Sequence, residues 1–150
     1  MLINKESFNS DEIKIIFEQY KLYVEMADRI SQRRMNANTF FTTVNTLFLT
    51  VAVFIKSTDF LWIIFCGVIG CIISFAWYFT LNSYRQINAG KYSVINEIEK
   101  VLPLSGFSYE WEILSHGKKK NKYWPISHVE KIIPVVFFIV YILVTVFRAI

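Results

Sequence analysis

Three stretches of this chain carry no charged residue: Phe40–Ile55, the 22 residues Phe60–Leu81, and the 16 residues Ile132–Phe147. A bilayer core of about 30 Å needs about 20 helical residues, within a working range of about 17 to 25. The second stretch meets that length outright. The first reaches it when Asn38 and Thr39 are included, and the third when the chain is followed to Ile150 with Arg148 snorkelling. The pattern therefore predicts an all-α integral membrane protein with three transmembrane helices and long helical extensions. Its predicted parts are an N-terminal amphipathic helix over 1–37, a transmembrane hairpin over 38–81 (spans 38–55 and 60–81), a helical region over 82–131 and a third span over 132–150.

The flanking segments have helical signals of their own. Asn9, with Glu12 three residues later, has the spacing of a capping box. Ile13, Ile16, Phe17, Tyr20, Val24, Ala27 and Ile30 then recur as one apolar stripe. No Gly or Pro interrupts the chain from there to Phe60, so a single long helix, or two nearly collinear ones, should run into the first span. Residues 56–59 suit a tight turn. Beyond the second span, Val94, Ile95, Ile98 and Val101 give an extension whose apolar side can lie along the N-terminal arm. Gly90 is expected to break that extension, and Pro103 to end it. Ser108 is expected to cap a short helix Tyr109–His116 that Gly117 terminates. Phe107, Trp111, Leu114 and Trp124 would then supply packing for this compact piece. The alternation Tyr109/Trp111/Ile113 supports a strand less well. Ser127 and Glu130 repeat the capping-box spacing, and Pro134 should kink the third helix near its start.

Composition strengthens the membrane reading. Hydrophobic residues make up 54% of the chain and mean hydropathy is +0.38, above the usual range for a soluble domain this small. Charge then supplies an orientation. Six Lys/Arg fall in 1–39 and eight in 82–131, against one in the turn (Lys56) and one at the end (Arg148). The positive-inside rule places the N-terminus and the middle segment in the cytoplasm, and the turn and C-terminus outside. Arg29, Arg33 and Arg34 form a collar at headgroup level. The net charge of +4 is accounted for by topology and anionic lipid, so no nucleic-acid partner is expected. The polar N-terminus carries no signal-peptide pattern.

Catalytic chemistry finds little support. His116 and His128 are the only histidines. Glu112 and His116 share a helical turn, but a metal site needs three or four converging ligands. No Gly-rich phosphate loop or nucleophile motif is present, so neither an enzyme nor a cofactor is expected. Cys66 and Cys71, five apart on different sides of one helix, read as small buried residues. The first span is more informative. Asn38, Thr39, Thr42, Thr43, Asn45, Thr46 and Thr50 form a polar strip that should face protein or water rather than lipid. It serves either helix packing or, in an oligomer, an aqueous path. In the second span Gly67, Gly70, Cys71 and Ser74 make overlapping small-xxx-small pairs that let helix backbones approach. Their partner is a helix of the same subunit or of a neighbour.

The order "YVEMADRISQRRMNANTFF", a tight two-span hairpin, "KYSVINEIEKVLPLSGFSYEWEIL" and "YWPISHVEKIIPVVFFIVY" resembles the RipA family of small bacterial membrane proteins. The basic collar and hairpin are also similar to the SLATT group of two-span proteins, proposed as membrane effectors in bacterial conflict. This chain departs from the latter by its third span and by having no fused sensor domain. The resemblance implies an octamer in the inner membrane, linked to stress or host adaptation, and brings no catalytic residues with it. The expected function is thus a non-enzymatic, homo-oligomeric membrane scaffold whose partners are its own copies, lipid and an unidentified cytoplasmic protein. The alternative is a pore lined by the polar strip of the first span.

Overall fold

The computed structural model describes residues 8–55, 59–114 and 126–149. All four elements among the described residues are helices: α1 (Ser10–Phe54), α2 (Phe60–Glu99), α3 (Gly106–Ile113) and α4 (Ile126–Ala149). Three of them are long and apolar enough to cross a membrane. The 45 residues of α1 form one helix about 68 Å long at about 1.5 Å per residue. It starts as expected, with the Asn9 side chain accepting from the Glu12 N–H (2.8 Å) and Glu12 accepting from the Asn9 N–H (2.9 Å).

The chain divides into two compact units. One comprises residues 1–33 and 84–125, the other residues 34–83 and 126–150. In the second unit, contacts fix three helix directions. Asn38 meets Trp77 and Asn45 meets Ser74, so α1 and α2 run antiparallel. Arg34 meets Glu130, Asn45 meets Tyr141 and Ala52 meets Arg148, all at the same sequence offset, so α1 and α4 run parallel in a single register. Gly67 and Gly70 lie against Thr145 and Tyr141 of α4. A Cβ at either glycine would overlap those side chains, so the small pairs serve contact within the subunit. Ser74, the fourth member, faces α1 instead, and Cys71 is half-buried.

In the first unit, α1 and α2 again pack antiparallel, through Tyr20 with Glu99 and Ser31 with Asn88. Ile95 and Ile98 are buried there, as is Ala27, so the apolar side of the α2 extension does meet the N-terminal arm.

Several expectations need correction. Gly90 breaks nothing: α2 passes through it to Glu99, because a single exposed glycine costs a helix only about 1 kcal/mol. The short helix starts at Gly106 behind Ser105 and ends at Ile113, with Leu114 as its C-cap, so Ser108 lies inside its first turn. The helix end expected at Gly117 lies outside the described residues, as does Trp124. α4 begins at Ile126, one residue ahead of Ser127, and continues through Pro134. Arg148 does more than snorkel: its guanidinium donates to the Ala52 and Ile55 carbonyls, closing the carbonyl end of α1 that a helix leaves unpaired.

Candidate functional site

The polar strip of the first span separates into two faces. Asn38, Thr42 and Asn45, at positions i, i+4 and i+7, turn inward: Asn45 has no exposed surface and the other two are half-buried. Thr39, Thr43 and Thr46, one residue further along the helix, and Thr50, one turn beyond Thr46, are all exposed.

The inner face is a hydrogen-bonded core. The Asn45 amide donates to the Phe41 carbonyl (2.8 Å), while its side-chain oxygen accepts from the Ser74 hydroxyl (3.2 Å). Its backbone carbonyl accepts from the Tyr141 hydroxyl (3.0 Å). One residue of α1 thereby binds α2 and α4 together. One layer along, the Trp77 indole donates to the Asn38 side chain at 3.1 Å. Trp77 also stacks on Phe41 at 6.0 Å and meets Phe137 at 5.9 Å. Polar groups in an apolar span are satisfied internally because no water is available to them.

The outer face differs in kind. The hydroxyls of Thr39, Thr43 and Thr50 each donate to the carbonyl four residues earlier, so their polarity is met within α1. On the same helix Phe40, Leu47, Val51 and Phe54 are exposed and apolar, a surface suited to lipid.

The basic collar is only partly free for headgroups. Arg29 pairs with Glu25 at 2.7 Å, and Arg34 lies 3.3 Å from Glu130 with both side chains mostly buried. Arg33 is exposed, with no ion pair to a carboxylate among the described residues. Nearby in the second unit, Lys131 donates to Asn82 and lies over the Tyr78 ring.

In the first unit the organising residue is Glu99, only 1% exposed. Its carboxylate accepts from the N–H groups of Phe107 and Ser108 (both 2.9 Å), from the Ser108 hydroxyl (2.8 Å) and from the Tyr20 hydroxyl (3.0 Å). A carboxylate from α2 therefore caps the N-terminus of α3, where unpaired N–H groups and the helix dipole favour negative charge. Burial pushes the Glu99 carboxyl up, but these bonds outweigh it and hold it below the ordinary carboxylate range. Tyr20 is pushed up to about 12, first by burial and then by Glu99, so it stays a neutral donor. Phe107 packs between Tyr20 and Tyr92 and Leu114 is half-buried. Trp111, on the same helical side as Phe107, is 42% exposed.

The described residues contain no group of three or more His, Cys, Asp or Glu placed to hold a metal ion. The sequence reading missed Glu99, Trp77 and Tyr141, and placed Tyr20 in the apolar stripe without its hydroxyl's role. A single hydroxylated aromatic within the aliphatic third span was the available signal for Tyr141.

A family model, the octameric membrane protein family (8xMP), matches residues 17–150. No curated protein and no solved structure matches the chain.

Two expectations follow from this geometry. Asn45→Leu keeps the branching at Cγ but removes the bond to Ser74, and should cost about 0.6 to 1.7 kcal/mol, the range for hydrogen bonds between membrane helices. Reversible unfolding in mixed micelles measures this, and unchanged stability would refute the role. Glu99 is depressed in the folded state, so its contribution is present above its ordinary value of 4.5 and lost as pH falls through the lower folded value. The protection factors of the α3 amides, taken against the intrinsic exchange rate at each pH, should therefore fall on acidification below pH 4.5 in the native chain. In Glu99→Gln they should be low already at pH 7, with little further acid response.

Proposed function

The chain belongs to the octameric membrane protein family, and from that premise we propose that it works as a non-enzymatic homo-octameric scaffold of the bacterial inner membrane. The observation that carries this reading is the outer threonine stripe of α1. Thr39, Thr43, Thr46 and Thr50 are exposed on a single subunit, yet three of their hydroxyls are already bonded to the helix itself. Such a stripe needs no water, and its small side chains allow close approach of another helix. Since the small residues of α2 are occupied within the subunit, the threonine stripe is the seam left for a neighbouring copy.

The second reading is a pore lined by the same threonines. It is weakened by Asn38 and Asn45, the most polar members of the strip, which turn inward to Trp77 and Ser74. Replacing Thr43 and Thr46 together with Leu separates the two readings. A seam predicts loss of the octamer in nanodiscs by mass photometry, with helicity retained. A pore predicts an intact octamer with altered conductance across planar bilayers. An intact octamer with unaltered conductance would refute both.

The orientation follows from the Lys/Arg distribution, with the N-terminus and residues 82–131 cytoplasmic. Periplasm-dependent reporters fused at the C-terminus should be active and those fused at the N-terminus silent; the reverse pattern would overturn this assignment.

A further inference from the structure

The first unit exposes two apolar patches that its own helices leave uncovered. On α1, Ile15 and Leu22 are 59% and 54% exposed and border a shallow open groove of about 370 Å³, whose other walls are Lys14, Glu18 and Gln19. At about 100° per residue, this groove lies on the side of α1 turned away from Tyr20, the residue that receives Phe107 of α3. On α3, Tyr109 is 65% and Ile113 47% exposed. They sit one helical turn apart, with exposed Glu110 and Glu112 beside them.

We infer that α3 of one subunit docks by Tyr109 and Ile113 into the Ile15–Leu22 groove on α1 of the next, forming a head-to-tail contact around the ring. This rests on the octameric assembly proposed above. A cyclic ring closes through a heterologous interface, in which two different surfaces of the same chain meet. The two patches meet that requirement, because facing apart on one unit they cannot satisfy each other within a subunit. Their chemistry also matches. Tyrosine is a favoured interface anchor, with a large apolar body and a polar tip. Lys14 lines the groove and pairs with exposed Asp11, while Lys21, on the same side of the helix as Lys14, pairs with exposed Glu18 and lies over the Phe17 ring. Such exposed pairs are worth little, so the lysines are available to Glu110 and Glu112 of the neighbour.

Cysteine cross-linking tests the contact directly. In the full-length chain with Cys66 and Cys71 replaced by Ala, Ile15→Cys together with Tyr109→Cys should give, on mild oxidation in membranes, a ladder of covalent oligomers reaching eight. Each single-cysteine variant should stay monomeric on the same gel. Dimers from Ile15→Cys alone or Tyr109→Cys alone would mean a symmetric contact, and would overturn the head-to-tail arrangement. No ladder from a pair that is octameric by mass photometry would overturn the docking and leave the octamer standing. A particle that is not octameric before oxidation would instead remove the assembly on which the contact depends. A charge-reversal pair provides a second readout. Lys14→Glu with Lys21→Glu should weaken the ladder at least several-fold, and adding Glu110→Lys with Glu112→Lys should restore it. A ladder that the reversals leave unchanged would overturn the ionic part of the contact.

Discussion

The three spans depend on how an asparagine is satisfied in a place without water. Asn45 has no exposed surface, and its side chain and carbonyl together engage Phe41, Ser74 and Tyr141. Leaving its side-chain oxygen unpaired in hydrocarbon costs several kcal/mol, so α2 must present the Ser74 hydroxyl at the right height. Tyr141 of α4 adds a further donor to the Asn45 backbone carbonyl at the same level. The same offset between α1 and α4 recurs at Arg34 with Glu130 and at Ala52 with Arg148, so the polar contacts hold one alignment along the length of α4. Gly67 and Gly70 then let α4 settle against α2 without a Cβ in the way.

Glu99 has the corresponding place in the first unit. A short helix of eight residues is marginal by itself, and α3 has no side-chain cap from Ser105. The Glu99 carboxylate supplies that cap from another helix, and Tyr20 joins α1 to the same group. A charge is tolerated at this depth because each of its partners is a donor aimed at it, which keeps it ionised despite burial. One buried anion thus ties three helices, as one buried amide does in the other unit.

What remains uncovered then bears on assembly. With the asparagines and small residues spent inside the subunit, the outward surfaces are a threonine stripe, an aliphatic and aromatic belt, and two apolar patches in the first unit. A threonine stripe with three of its four hydroxyls bonded to their own helix is compatible with a dry seam, whereas the belt of Phe40, Leu47, Val51 and Phe54 suits lipid.

The three spans, the unbroken α1 and the capping box at Asn9 were legible in the sequence. Charge-free length and helical periodicity are local properties, and each residue carries its share of the signal irrespective of its neighbours in space. Asn45 was legible as a residue that must face protein or water rather than lipid. Tertiary structure alone decided that Ser74 and Tyr141 answer it, that Thr39, Thr43, Thr46 and Thr50 do not share its face, and that the glycines of α2 receive α4. These are questions of rotation and register between helices, and a periodic apolar pattern permits many registers of similar burial. The cap of α3 was read wrongly for the same reason. Ser108 had the right local chemistry, but a buried carboxylate nine residues earlier, brought there by the turn after α2, was the stronger acceptor.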